Sequence, residues 1–197
     1  DNSFFADKGW LFGILLASAV ALVIIGGIKS IANAASRIVP SMAGLYLLSA
    51  LTILMLSIDK IDDALNLIIQ SAFGLGSFTG GAIGALIIGF QRSAFSNEAG
   101  MGTASIAHSA VETDEPISEG LVSLLEPFID TMVICTLTSL VIITTLYTND
   151  PSLGNLEGIA ITSAAFAFHI DWFPVVLGIA ALLFAFSTAI AWAYYGL

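Results

Sequence analysis

Charge is what this sequence has least of. Asp, Glu, Lys and Arg make up 10% of its 197 residues, against about a quarter in soluble domains, and 57% of the chain is hydrophobic. Water is therefore not its main solvent. Basic residues are scarcest, 5 against 15 acidic, for a net charge of −10; nothing resembles a basic patch, so no nucleic-acid partner is expected. The single cysteine, Cys135, sits in an apolar run and has no partner for an internal disulfide. His108 has no second histidine or cysteine at metal-ligand spacing, and no paired groups point to nucleophilic or acid–base catalysis. The expectation is a protein that is not an enzyme and carries no organic cofactor. Without a starting methionine or signal peptide, the chain reads as a fragment.

What is present is a series of charge-free runs: residues 9–28, 38–58, 64–91, 131–149, and everything after Asp171. A helix needs roughly 20 apolar residues to cross the hydrocarbon core, and these runs meet that length. Backbone groups in lipid must be satisfied internally, and continuous runs suit helices rather than the alternation of a barrel. The fold class expected is all-α, a polytopic transmembrane bundle forming one domain fragment over residues 1–197.

Five spans are expected: 9–27, 40–56, 81–111 with a break near 96–102, 119–145 and 173–195. Pro40 suits the first turn of the second span. Lys29 and Arg37, in the link between the first two, favour the cytoplasmic side. Residues 61–73 read as an amphipathic outer helix and 159–168 as a short apolar one. The segment Arg92-Ser-Ala-Phe-Ser-Asn-Glu-Ala-Gly-Met-Gly102 brings charged and amide groups only about ten residues into a membrane helix. Gly100 and Gly102 then weaken its continuation.

Two readings of residues 95–116 stay open: a helix broken at membrane depth, or a cytoplasmic loop after a span over 64–91. A break exposes carbonyls for a cation and N–H groups for an anionic substrate. Arg92 and Glu98, six residues apart, suit a structural or gating pair across a disrupted helix. Asn97 and Ser96 offer hydrogen-bonding groups for an amino acid or an ion. In the last span, Ser187 and Thr188 are either ligands for a hard alkali cation or hydroxyls bonded to the preceding turn. Phe184, Thr188, Trp192 and Tyr195 share a face, which either walls a pocket or forms part of an interfacial aromatic belt. Thr131, Cys135 and Thr138 read as a packing stripe, and His108 as a satisfied polar residue.

Phe95-Ser-Asn-Glu-Ala-Gly-Met-Gly102 resembles the signature of the alanine or glycine:cation symporter family. Ile106-Ala-His-Ser-Ala110, Thr113-Asp-Glu-Pro116, Phe128-Ile-Asp-Thr131, and Phe186-Ser-Thr188 with Trp192 are similar to family sequence in the same order. Ser93, Glu112 and Ser118 depart from it. The resemblance implies a LeuT-type inverted-repeat transporter of the amino acid–polyamine–cation superfamily, in the cytoplasmic membrane, with this chain supplying helices 4 to 8. It implies substrate contacts at Phe95, Ser96, Asn97, Thr188 and Trp192, and sodium ligands at Ser187 and Thr188. The partners implied are a small neutral amino acid such as alanine or glycine, sodium as coupling ion, the lipid bilayer and the remainder of the same transporter. An ion channel and a proton-coupled amino-acid transporter are the alternatives.

Overall fold

The computed structural model describes residues 8–73, 81–96, 102–147, 156 and 158–196. Every regular element among them is helical: α1 (Gly9–Ile24), α2 (Gly27–Leu56), a 3-10 turn (Ile58–Lys60), α3 (Ile61–Phe73), α4 (Gly81–Ser96) and α5 (Thr103–His108). The long helix α6 (Pro116–Tyr147), α7 (Ile159–Ala167) and α8 (Phe173–Tyr194) follow.

Among the described residues, α2, α6 and α8 are long and apolar enough to cross a membrane, with mean hydropathy of 1.9, 1.9 and 2.3. At about 1.5 Å per residue, the 16-residue α1 falls short of a hydrocarbon core about 30 Å thick. The 30 residues of α2 exceed that thickness. Leu22, Ile25, Met55 and Ile117 are 77%, 83%, 74% and 80% exposed on the protein itself. In water each forgoes about 1.5–3 kcal/mol of burial; in hydrocarbon nothing is lost. Such helices suit lipid, and the chain is a fragment of a helical membrane protein.

The residues 28–39 expected to link two spans are helical. The boundary lies at Gly27, whose φ of +68° is left-handed, a conformation that costs an L-residue with a side chain roughly 1–2 kcal/mol. The break between α1 and α2 therefore falls on a glycine, and Pro40 lies inside α2 rather than at its start. Tertiary context overrides the local preference of proline here.

The chain forms two compact units, residues 1–46 with 178–197, and residues 47–177. In the first, Met42, Tyr46, Ala180 and Ile190 are buried, and the Tyr46 ring meets Phe184 edge-on at 6.2 Å. In the second, the C-terminal half of α6 packs on α7, and α3 packs on the last turns of α6. Ile53, Ala64, Val141, Leu146, Ala165 and Phe166 are buried in that unit.

Helix α6 is not uniform. It widens to π-helix over Phe128–Cys135 and Ile143–Tyr147. The first wide stretch begins immediately after Pro127, which has no N–H to give to the previous turn and crowds its carbonyl. In the second, the fully buried Thr144 and Thr145 each donate to carbonyls of the preceding turn, Thr144 to Leu140 at 2.7 Å and Thr145 to Val141 at 2.6 Å. Hydroxyls bonded in this way compete with the helix's own N–H groups.

Replacing Gly27 with alanine is expected to lower stability by about 1–2 kcal/mol. Gly13→Ala, at a helical position with open space around the added Cβ, is expected to be neutral or slightly stabilising. Thermal unfolding of the detergent-solubilised protein checks both.

Candidate functional site

On α8, Ser187 and Thr188 both turn their hydroxyls back on one carbonyl. Ser187 Oγ donates to the Phe184 oxygen at 2.9 Å and Thr188 Oγ1 donates to the same oxygen at 3.0 Å. Such bonds to the preceding turn satisfy hydroxyl protons inside an apolar helix. They also fix two oxygens with their lone pairs directed away from that carbonyl, able to accept from a donor or to face a cation. The two sit on different faces. Ser187 is buried, with the Met42 sulfur 3.7 Å from its oxygen, whereas Thr188 is exposed. One turn further, Trp192 is half exposed and its ring lies 6.4 Å from that of Tyr195.

Arg92 is an exposed residue of α4, and Phe95 and Ser96 end that helix. Asn97, Glu98 and Gly100, and with them the Arg92–Glu98 pair and most of the expected break, lie outside the described residues. Gly102 is described: with φ +79° it immediately precedes α5, and Ser105 Oγ donates to its carbonyl at 2.6 Å. Phe95 and Ser96 belong to one compact unit and the α8 residues to the other, so the structure describes the two groups separately.

Two polar constellations escaped the sequence reading. His108, at the end of α5, puts Nδ1 2.5 Å from Glu119 Oε1 and Nε2 3.8 Å from Glu126 Oε2. These residues line a cavity of about 620 Å³ between α5 and the first turns of α6. The signal was available in the spacing. Glu119, Glu126 and Asp130 recur at intervals that keep them on one face of a helix. The second constellation is Ser57, almost fully buried, whose Oγ lies 2.6 Å from His169 Nε2. It ties the end of α2 to the segment after α7, and no local pattern links residues that far apart in sequence.

Among the described residues no group of three or more His, Cys, Asp and Glu is arranged to hold a metal ion. Hydroxyl and carbonyl oxygens, the donors suited to an alkali cation, are a different class.

The sequence profile described as the sodium:alanine symporter family matches residues 1–197. The chain is 42% identical over 185 residues to the sodium/alanine symporter AgcS of Methanococcus maripaludis, covering 93% of this chain and 41% of that protein. It is 38% identical over 198 residues to the amino-acid carrier protein AlsT of Bacillus subtilis, covering 100% of this chain and 41% of the relative. The probable sodium/glutamine symporter GlnT of the same organism is 37% identical over 198 residues, with 100% and 41% covered. The chain thus spans about two fifths of the length of the curated relatives it matches.

Ser57→Ala is expected to destabilise by about 0.5–1.5 kcal/mol, the net worth of one hydrogen bond, because the exposed imidazole of His169 can turn to water instead. Thr52→Ala, where the hydroxyl is exposed and bonded only to its own helix at Leu48, is expected to change stability by less than about 0.5 kcal/mol. Parallel melting curves of the two variants check the difference.

Proposed function

Because the chain belongs to the sodium:alanine symporter family, a family of multi-pass membrane transporters, we propose that the protein of which it forms part couples entry of a small neutral amino acid, alanine or glycine, to entry of sodium. The observation that carries this reading is the pair of α8 hydroxyls held on one carbonyl. Ser187 and Thr188 are the proposed sodium ligands, their protons engaged and their lone pairs left for a hard cation. Phe95, Ser96 and Asn97 are the proposed substrate contacts from the signature segment. Thr188 and Trp192, on the exposed side of α8, are assigned to the solute as well. Arg92 and Glu98 are the proposed structural or gating pair, and the fold is proposed to be the LeuT-type inverted repeat.

The mechanism needs no covalent step. Sodium stabilises the state able to hold the amino acid, and the loaded protein then exposes its site to the other side of the membrane. One charge moving through about 100 mV contributes about 2.3 kcal/mol, enough to concentrate a neutral solute about 50-fold at full coupling.

Support for alanine rests on the family's description and on the name of one relative, sodium/alanine symporter, while a second is named only as an amino-acid carrier. A third is named for glutamine, whose side chain is longer than that of alanine and ends in a polar amide, so side-chain size is one property a pocket for alanine has to limit. An aromatic such as Phe95 is suited to limit it, since one methylene in an apolar pocket is worth only about 1–3 kcal/mol.

Uptake of alanine by the complete protein in proteoliposomes is expected to require an inward sodium gradient and to saturate. Thr188→Ala is expected to raise the sodium concentration for half-maximal uptake by about tenfold, equivalent to about 1.4 kcal/mol of lost ligation. Uptake indifferent to sodium would overturn the coupling, and unsaturable conductance would point to a channel.

A further inference from the structure

We propose that Met42 is a positioning residue of the proposed sodium site: its thioether covers Ser187, and sodium reaches that hydroxyl only when the Met42 side chain turns away. This role rests on the reading of Ser187 and Thr188 as sodium ligands, and those two residues are not alike. Both donate to the Phe184 carbonyl. Thr188 is exposed, whereas Ser187 is 8% and Met42 5% exposed. The Met42 sulfur lies 3.7 Å from Ser187 Oγ, in hydrogen-bonding geometry.

A serine hydroxyl has one proton and two lone pairs. Two acceptors are within reach of that proton, the Phe184 oxygen at 2.9 Å and the Met42 sulfur at 3.7 Å. If the proton stays on the carbonyl, the sulfur lies over the side of Ser187 Oγ where a cation would bind. If it turns to the sulfur, a hydrogen occupies that side instead. Met42 closes Ser187 in either case. Nor does the sulfur serve as a ligand itself, since a soft thioether is a poor match for a hard alkali cation.

Packing decides which part moves. Tyr46 lies one turn beyond Met42 on α2, and its buried ring meets Phe184 edge-on at 6.2 Å. Positions 42 and 46 of α2 therefore face positions 184 and 187 of α8, at helical spacing on both sides. The ring contact holds the two helices together, whereas methionine is unbranched, with three rotatable bonds. Its side chain turns without displacing either helix. In the covered state a cation finds the Thr188 hydroxyl alone; in the uncovered state it finds two hydroxyl oxygens. Sodium binding draws on the uncovered minority, and its apparent affinity is reduced by that fraction.

Alanine uptake by the complete protein in proteoliposomes, measured against sodium concentration, tests this role. Met42→Val deletes the sulfur and the methyl beyond it while filling part of the space. For a minor conformer populated at about 10%, it is expected to lower the sodium concentration for half-maximal uptake by about tenfold. The alanine concentration for half-maximal uptake at saturating sodium is expected to stay the same. Met42→Leu keeps the bulk with little strain; being branched and stiffer, it turns away less readily and is expected to raise the sodium requirement. In Ser187→Ala, adding Met42→Val is expected to change nothing further, because Met42 acts through that hydroxyl. A requirement that does not fall in Met42→Val, that falls in Met42→Leu, or that Met42→Val still lowers without Ser187, overturns the role of Met42 and leaves the sodium assignment standing. Uptake by the unmodified protein that ignores sodium overturns both.

Discussion

The structure depends on one constraint: in hydrocarbon, a polar group must find its partner on the protein. Along α6 and α8 that partner is the preceding turn. Ser139, Thr144 and Thr145 on α6, and Ser187 and Thr188 on α8, all donate to carbonyls three or four residues back. These bonds let hydroxyls enter apolar helices without facing lipid as bare donors. They also load individual carbonyls with extra partners, and where this coincides with buried threonines α6 widens to π-helix. Places that satisfy polar groups locally are thus also places where helix geometry departs from regularity.

Much of this was legible in the sequence because it is written in local pattern. Charge-free runs overlap α2, α6 and α8 without marking where α2 and α6 begin, and the amphipathic stretch 61–73 coincides with α3 (Ile61–Phe73). The resemblance carried by Phe95–Gly102 agrees with a family match over the whole chain. What was not legible depends on context. Proline at position 40 suggested a helix start, yet the boundary falls at the left-handed Gly27 and Pro40 lies inside the helix. Ser57 and His169 find each other across the fold, and no periodicity announces such a pair. The acidic face of α6 was readable in its spacing, but not that α5 sets His108 against it.

The proposed functional residues divide in the same way. Ser187 and Thr188 were named from residue type, and the structure adds their common carbonyl, which orients both hydroxyls. The signature segment enters the described structure at Phe95 and Ser96 and leaves it at Gly102, whose positive φ precedes α5. A left-handed residue directly before a helix favours glycine, which has no side chain to strain there.

The central claim is that the signature segment, from which Phe95, Ser96 and Asn97 are the proposed contacts, binds the substrate. The most direct test places single cysteines along that segment, in the complete protein with Cys135 replaced by alanine, and labels them in membranes with an impermeant thiol reagent. The account predicts labelling that falls markedly when sodium and alanine are added together. Labelling that proceeds equally with and without them would contradict it.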